Sequence, residues 1–270
     1  MQKMNPTPPI KAMILAAGRG ERMRPLTDTT PKPLLVVQGK PLLQWPMEAL
    51  ARGGFTEFVI NTDWLGAQIV ASTTAMRSAL NPARPLQISY SHEGLDFGGA
   101  LETAGGISRA LPLLCPHEAN EAEAETEVFW LLAGDVFAPD FEFSQAAVDR
   151  FVRSGKLAHL WLVPNPAHNL RGDFGLALNP GDTVGLALNL PKDDLQPRYT
   201  YSTLGLYRRA LFETPYCDIA PGNPLGVKAP LAPLLRAAMD NQHISAEIYT
   251  GAWTDVGTPE RLAQLNKSPE

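Results

Sequence analysis

An apolar run near the start of the chain leads directly into a loop rich in glycine and in positive charge. Residues 12–16 (AMILA) have the composition of a buried strand, and residues 15–34 (LAAGRGERMRPLTDTTPKPL) contain two glycines, three arginines and one lysine. Glycine lets a backbone approach a ligand closely, while arginine and lysine bind phosphate oxygens. A strand followed by a glycine turn and concentrated cations predicts a polyphosphate-binding loop.

Apolar and helix-like segments alternate along the rest of the chain, which predicts an α/β fold. We expect a Rossmann-like three-layer α/β/α arrangement with a mainly parallel central sheet. Strands are predicted at residues 12–16, 56–61, 86–91, 128–133 and 158–163, and helices at 42–52, 65–80, 102–111, 230–241 and 259–266. Short strands between residues 172 and 207 predict a small β-rich subregion over the ligand site. In such sheets, ligands bind beyond the carboxyl ends of the strands.

A single domain is expected over residues 11–270, preceded by a disordered lead at residues 1–10. Residues 116–127 carry five glutamates, at positions 118, 121, 123, 125 and 127. Regularly spaced acids without turn residues usually form a solvated loop, so we predict an acidic insertion there rather than a metal site.

Charge and composition exclude several classes of partner. The net charge of −5 argues against nonspecific nucleic-acid binding, which requires a basic field. The chain has no apolar run long enough for a membrane span, and its start lacks the apolar region of a signal peptide. The two distant cysteines indicate reduced thiols. We therefore expect a cytoplasmic monomer or homodimer with no membrane or nucleic-acid partner.

The cationic loop fits neither of two common phosphate-binding motifs. A Walker A loop requires Gly-Lys before Ser or Thr, whereas Pro41 and Leu157 follow the two Gly-Lys pairs of this chain. A dinucleotide-binding loop requires a third glycine where Met23 stands.

The loop instead resembles that of the nucleotidyltransferases that activate sugar 1-phosphates, which runs G-x-G-T-R, then P-L-T, then P-K-P-L. Glu21 replaces the threonine that is common in this family. The matching positions are Gly18, Gly20, Arg22, Pro25, Leu26, Thr27, Pro31, Lys32, Pro33 and Leu34.

Two aspartates at distant positions complete the resemblance. Asp135 follows the apolar run VFWLLAG, and Asp255 lies in WTDVGTPERL ahead of a helix that Thr258 is expected to cap. The resemblance implies that both aspartates bind Mg²⁺, an ion that prefers oxygen ligands. It also implies catalytic roles for Arg22, Lys32 and Asp135.

Further contacts follow from the same resemblance. Glu93 is expected to accept the N3–H of uracil or thymine, and Glu102 stands where the family commonly has glycine. The predicted nucleotide-binding residues are Ala16, Ala17, Gly18, Arg19, Gly20, Glu93 and Gly98. The predicted sugar-binding residues are Glu102, Thr103, Gly105, Asp173 and Asn189.

The resemblance implies Mg²⁺-dependent condensation of a nucleoside triphosphate with a sugar 1-phosphate, with release of pyrophosphate. It is closest to the bacterial N-acetylmuramate-1-phosphate uridylyltransferases of peptidoglycan recycling. UTP and N-acetylmuramic acid 1-phosphate are thus the expected substrates, and Arg171 is a candidate partner for the lactyl carboxylate. Because no hexapeptide-repeat domain follows the last motif, the bifunctional N-acetylglucosamine-1-phosphate enzymes are not expected.

Several alternatives stay open at this stage. Mannose-1-phosphate guanylyltransferase and glucose-1-phosphate thymidylyl- or uridylyltransferase are the nearest, and a non-catalytic regulatory subunit that binds nucleotide sugars is more remote. A regulatory subunit is expected to lack Lys32, Arg22 or one of the two aspartates, all of which are present. The sequence therefore favours an enzyme.

Overall fold

The computed structural model describes residues 9–80, 85–115 and 127–267. The strands in these ranges are β1 (Lys11–Leu15), β2 (Val36–Val37), β3 (Lys40–Pro41), β4 (Glu57–Thr62), β5 (Gln87–His92), β6 (Val128–Ala133), β7 (Val136–Phe137), β8 (Ala158–Val163), β9 (Phe174–Ala177), β10 (Val184–Leu188), β11 (Arg198–Arg208), β12 (Ile244–Ile248) and β13 (Thr254–Asp255). The α-helices are α1 (Gln44–Arg52), α2 (Gly66–Leu80), α3 (Glu93–Phe97), α4 (Glu102–Leu114), α5 (Gln145–Ser154), α6 (Leu231–Asp240) and α7 (Pro259–Leu265).

One large sheet organises these elements. Its strand order is β5-β4-β1-β6-β11-β8-β12-β10-β9, with a further pairing between β11 and β9. The pairs β5–β4, β4–β1, β1–β6 and β8–β12 are parallel, whereas β10 and β11 run antiparallel to their neighbours. The other seven strands therefore point in one direction, as the predicted mainly parallel sheet requires.

The central strand β6 shows why the fold has three layers. Phe129 and Leu131 pack into the hydrophobic cluster beneath α4 and α6, whereas Trp130 and Leu132 pack into the cluster beneath α1. Successive strand residues point to opposite faces, so a continuous apolar run buries both faces of a sheet at once.

Local signals in the sequence account for several helix boundaries. The Thr258 side chain accepts a hydrogen bond from the Arg261 N–H and so caps α7, with Pro259 at its first position, as predicted. Helix α1 ends at Arg52, immediately before Gly53. Ser144 caps α5, which the sequence analysis did not predict although Ser144 and Gly155 are typical of helix ends.

Most predicted elements lie within two residues of their observed positions. The strands at residues 128–133 and 158–163 agree at both ends. Helix α4 continues past its predicted end at residue 111 to Leu114, with Pro112 inside it. The sequence analysis also missed α3, β12 and the β7–β13 pair, all of which are five residues long or shorter.

The predicted β-rich region between residues 172 and 207 contains β9, β10 and most of β11. These strands belong to the main sheet, and β11 lies between β6 and β8 near its centre. At eleven residues, β11 is longer than the short strands expected there. The region therefore contributes three strands to the main sheet.

The predicted acidic insertion lies outside the described residues except for Glu127, and the predicted N-terminal lead lies outside them except for Pro9 and Ile10. Glu127 is not a solvated acid: its side chain is 12% exposed and forms an ion pair with Arg209 at 3.0 Å. Within the described ranges, no helix has both the length and the apolar character needed to cross a bilayer.

Trp130 provides a test of the core. Its side chain is fully buried, and its ring packs near those of Phe143 (5.0 Å between centroids), Trp161 (5.2 Å) and Phe55 (5.8 Å). We expect Trp130→Ala to lower the free energy of unfolding by roughly 3–5 kcal/mol, measured by urea denaturation, because it leaves a cavity between these rings. Leu195→Ala, at a 99% exposed position, is the control and should change it by less than about 0.5 kcal/mol. A loss below about 1 kcal/mol for Trp130→Ala would contradict the described packing.

Candidate active site

A cavity of about 620 Å³ opens at the carboxyl ends of β1, β4 and β6. This is the edge where an open α/β sheet is expected to bind its ligand. Nine predicted site residues line the cavity: Ala16, Ala17, Gly18, Lys32, Glu93, Glu102, Thr103, Asp135 and Asp173. The other predicted site residues are not on its wall: Arg19, Gly20, Arg22, Gly98, Gly105, Asn189 and Asp255.

A buried hydrogen-bonded bridge supports one end of the cavity. The Asn61 side chain accepts from the Ala16 N–H (2.7 Å) and donates to Glu93 Oε1 (2.7 Å), and Glu93 Oε2 accepts from the Leu101 N–H (2.7 Å). The bridge thus joins the ends of β1 and β4 to the starts of α3 and α4. Sequence analysis missed Asn61, although a polar residue near the end of an apolar strand was a signal for it.

Burial dominates the electrostatics of Glu93, which is 1% exposed. Desolvation raises the pKa of its carboxyl group, although the hydrogen bonds from the Leu101 N–H and the Asn61 side chain act in the opposite direction. Gly106 leaves room for this carboxylate, since a Cβ there would lie 2.5 Å from Glu93 Oε1. The glycines after Glu102 therefore have packing roles as well.

Lys32 and Asp135 meet at the cavity, although 103 residues separate them in the chain. The Lys32 ammonium and Asp135 Oδ2 form an ion pair, and their side chains are 11% and 33% exposed. Lys32 belongs to the glycine loop, the cationic loop of residues 15–34. Gly20 in this loop has a φ of +68°, and a Cβ on it would lie 3.2 Å from the Lys32 Cβ. A left-handed backbone in such close contact favours glycine.

The three arginines of the loop differ in their partners. Arg19 pairs with Glu21 (2.8 Å) and lies over the Trp64 ring, and Arg24 pairs with Asp28 (2.7 Å). Arg22 is exposed and forms no hydrogen bond or ion pair with the residues that the structure describes. Arg22 is thus the arginine of this loop best able to bind an external anion.

Asp255 lies beside Asp135 in the fold. Strand β13 pairs with β7, and the Val256 N–H donates to the Asp135 carbonyl at 2.9 Å. The Asp255 carboxylate forms an ion pair with Arg261 and is 2.9 Å from His168 Nε2. Sequence analysis missed both of these partners, because only the fold brings His168 to this strand.

Arg22 and Arg261 lie next to the same stretch of backbone. A Cβ at Gly257 would fall 2.7 Å from Arg261 Nη2 and 3.3 Å from Arg22 Nη2. The predicted cation of the glycine loop is therefore near the second predicted metal ligand. Two guanidinium groups beside the same residue suit a ligand with several negative charges.

The two aspartates fit the chemistry of a hard divalent cation. Carboxylate oxygens are the donors that Mg²⁺ prefers, and that ion is usually bound by one or two carboxylates together with substrate phosphates. The described part of the chain contains no group of three or more His, Cys, Asp and Glu side chains that could hold an ion unaided. An ion held by Asp135 and Asp255 would therefore need further oxygen ligands.

The opposite end of the cavity is formed by β9, β11 and α6. Asp173 Oδ2 accepts from the Tyr201 N–H at 2.8 Å, and its Oδ1 is 3.3 Å from Asn169 Nδ2. Phe174, Leu231, Leu235 and Arg236 line the wall here; none was predicted. Phe174 directly follows the predicted Asp173, whereas the other three come from a segment in which the sequence analysis found no motif.

Glu102 has a left-handed backbone with a φ of +60°. Such a conformation costs a residue with a side chain on the order of 1 kcal/mol, which explains why glycine suits this position in the resembled family. Strain of this kind is concentrated at functional sites, and the exposed Glu102 lines the cavity.

Gly105 and Asn189 are adjacent to the cavity wall. The Gly105 N–H donates to the Ala229 carbonyl, and a Cβ at Gly105 would lie 2.4 Å from the Val227 carbonyl oxygen. Close packing against that segment thus accounts for the glycine. Asn189 binds Arg236 and Asp240, so it is one hydrogen bond away from the cavity.

Comparisons with known proteins identify relatives of this chain. The family model described as nucleotidyl transferase matches residues 11–270. The chain is 43% identical over 268 residues to the N-acetylmuramate α-1-phosphate uridylyltransferase of Neisseria meningitidis serogroup B, covering 94% of this chain and 96% of that protein. It is 27% identical to the mannose-1-phosphate guanylyltransferase catalytic subunit beta of Drosophila melanogaster, of whose length it spans 60%.

Solved structures show the same fold at low sequence identity. Apo UDP-glucose pyrophosphorylase superimposes with a TM-score of 0.70 at 17% identity, over 96% of this chain and 97% of that chain. A putative glucose-1-phosphate thymidylyltransferase from Bacillus anthracis superimposes with a TM-score of 0.68 at 18% identity, over 95% and 94% of the two chains.

The raised pKa of Glu93 predicts a pH-dependent effect on stability. The folded protein retains this proton above the ordinary pKa of 4.5, so the contribution of Glu93 to stability is full below about pH 4.5 and is lost as pH rises through the folded pKa. Glu93→Gln removes the titration. The free energy of unfolding of Glu93→Gln minus that of the parent protein should therefore rise as pH rises above 4.5 and then level off.

Urea denaturation of both proteins between about pH 4 and pH 8 measures this difference. Glu142→Gln, which changes an exposed carboxylate, is the matched control. A difference between Glu93→Gln and the parent that does not vary with pH would show that burial leaves the proton affinity of Glu93 unchanged.

Proposed function

The chain belongs to the nucleotidyl transferase family, and from that premise we propose that it transfers a uridylyl group from UTP to N-acetylmuramic acid 1-phosphate. The products are UDP-N-acetylmuramic acid and pyrophosphate. The observation that carries the proposal is 43% identity to the Neisseria uridylyltransferase over nearly all of both chains. Membership of this family, predicted from the glycine loop and the two aspartates, is confirmed.

The reaction is a direct displacement at phosphorus. A phosphate oxygen of the sugar 1-phosphate attacks the α-phosphorus of UTP, a new P–O bond forms, and the bond to the β-phosphate oxygen breaks with release of pyrophosphate. The attacking phosphate is already ionised, so no protein base is needed. Catalysis therefore depends on positioning and on neutralising the charge of two anions that repel each other.

The cations at the site supply part of that neutralisation. Lys32, which lines the cavity beside Asp135, is placed to stabilise negative charge on the α-phosphate and the attacking phosphate. Arg22, together with Arg261 beside it, would bind the β- and γ-phosphates. Arg19 and Arg24 are occupied by acids of their own loop and have smaller roles.

Asp135 and Asp255 would hold Mg²⁺, with the UTP phosphates completing its coordination. The bound ion supplies charge neutralisation between the two substrates. Before substrate binds, Lys32 offsets the charge of Asp135 while Arg261 and His168 offset that of Asp255.

The two ends of the cavity divide the substrates between them. The backbone of residues 16–18 and Glu93 lie at the nucleotide end, where the carboxylate retains acceptor capacity for the N3–H of uracil. Gly98, with a φ of +73°, ends α3 nearby. Glu102, Thr103 and Asp173 would bind the sugar hydroxyl groups.

A cytoplasmic role in peptidoglycan recycling follows from this substrate. The two cysteines, Cys115 and Cys217, are free thiols and both are buried. Burial raises the pKa of Cys115 to about 12, which makes its thiol unreactive. Two buried free thiols support a reducing compartment.

A substrate panel tests the proposed reaction. Pyrophosphate release is measured for UTP, dTTP, GTP, ATP and CTP, each with the 1-phosphates of N-acetylmuramic acid, N-acetylglucosamine, glucose and mannose. We expect the highest kcat/KM for UTP with N-acetylmuramic acid 1-phosphate, and mass spectrometry identifies the product. A preference for GTP with mannose 1-phosphate would contradict the proposed choice of substrates. Absence of pyrophosphate release with every pair would contradict the proposal that the protein is an enzyme.

Asp135→Asn tests the role of the carboxylate. We expect kcat to fall roughly 100-fold or more, because the variant loses charge where the divalent ion must bind. Chelation of divalent ions should abolish the activity of the parent protein, and added Mg²⁺ should restore it. Asp140→Asn, at an exposed position five residues away, is the matched control and should retain full activity. Near-normal turnover of Asp135→Asn with an unchanged circular dichroism spectrum would remove Asp135 from the metal site.

A further inference from the structure

The cavity wall carries two cationic side chains in the described part of the chain, Lys32 and Arg236. Lys32 already has a carboxylate partner in Asp135. Among the described residues, no carboxylate oxygen lies within 4.0 Å of a guanidinium nitrogen of Arg236, which is the limit for an ion pair. A half-buried cation without a counter-ion on the wall of a binding site is suited to an anion that the ligand brings.

The neighbours of Arg236 hold its guanidinium group in place. Its Nη1 donates to Asn189 Oδ1 at 2.7 Å, and its guanidinium carbon lies 5.1 Å from the centroid of the Phe174 ring. Asp240 accepts from Asn189 Nδ2 at 3.0 and 3.2 Å, which orients the amide so that its oxygen faces Arg236. Asp240 and Asn189 are thus positioning residues for a guanidinium group whose Nε and Nη2 have no hydrogen-bond partner among the described residues.

The surroundings of Arg236 are apolar. Phe174, Leu231 and Leu235 line the cavity beside it, and all three are at least 93% buried. A ligand group that fits this corner has a small apolar part for these side chains and a carboxylate for the guanidinium. The lactyl ether of N-acetylmuramic acid consists of a methyl group and a carboxylate on one carbon.

We propose that Arg236 binds the lactyl carboxylate of the sugar substrate and so selects N-acetylmuramic acid over N-acetylglucosamine, which lacks the lactyl group. This inference rests on the proposed function for the identity of the sugar. Arg171, which the sequence analysis suggested for this role, is exposed and does not line the cavity. The specificity residue therefore comes from helix α6, far from any motif of the family.

Steady-state kinetics with the two sugar 1-phosphates tests the proposal. Arg236→Gln should lower kcat/KM for N-acetylmuramic acid 1-phosphate by roughly tenfold to a hundredfold, mainly through KM, since a charge-assisted hydrogen bond is lost. Turnover of N-acetylglucosamine 1-phosphate should change by less than about twofold. Equal losses with both sugars would assign Arg236 a structural role and overturn the proposal, as would no loss with either.

Two further variants sharpen the kinetic test. Arg236→Lys keeps the charge but loses the planar fork, so it should recover part of the preference that Arg236→Gln loses. Arg171→Gln removes the alternative arginine and should leave the preference unchanged. A loss of preference in Arg171→Gln, with Arg236→Gln unaffected, would transfer the role to Arg171.

A binding measurement separates this proposal from the proposed reaction. Calorimetry compares UDP-N-acetylmuramic acid with UDP-N-acetylglucosamine and needs no turnover. The parent protein should bind the carboxylated ligand at least about tenfold more tightly, and Arg236→Gln should bring the two affinities together. If the parent transfers no nucleotide yet shows this Arg236-dependent preference, the proposed reaction is contradicted while the proposed carboxylate site is supported. Equal affinities in the parent overturn the site whatever reaction the protein performs.

Discussion

The Asn61–Glu93 bridge is the interaction on which the geometry of the site depends. A buried carboxylate is costly unless hydrogen bonds satisfy it, and Glu93 obtains them from the Asn61 side chain and the Leu101 N–H. Asn61 also accepts from the Ala16 N–H, so one pair of side chains fixes the end of β1 relative to α3 and α4. The start of the glycine loop, the expected base contact Glu93 and the start of α4 are all positioned by this arrangement.

Opposite charges from distant parts of the sequence meet on the other side of the glycine loop. Lys32 pairs with Asp135, and Arg261 pairs with Asp255, so each expected metal ligand already has a cation beside it. Such pairs keep the carboxylates and the cations close together without net charge. A triphosphate bound with a divalent ion would give the same groups new partners of opposite charge, as the proposed reaction requires. Arg22, which has no ion-pair partner among the described residues, adds positive charge at the point where the phosphates would lie.

The proposed sugar end of the cavity includes residues that the sequence analysis did not predict. Arg236 lies on α6, and Asn189 reaches it from the segment after β10. Asn189 was predicted to touch the sugar, but the structure places it behind the arginine. Gly105 was predicted for the same pocket, and close packing against residues 227–229 explains it instead. Glu102, the first residue of α4, has a left-handed backbone that the neighbouring residues in the sequence do not predict.

By itself, the sequence determined the α/β class, most of the longer strands and helices, and the loop that carries Lys32 and Arg22. These features were predictable because periodicity, glycine and local charge act over a few residues. Both aspartates were also predicted, Asp135 from the end of an apolar strand and Asp255 from the motif WTDVGTPERL. Only the tertiary structure decided that β11 enters the sheet between β6 and β8, that Asn61 holds Glu93, and that Arg236 faces the cavity without a counter-ion. The reason is physical: strand pairing, burial and charge balance depend on residues that are distant in sequence, and they exist only when folding brings those residues together.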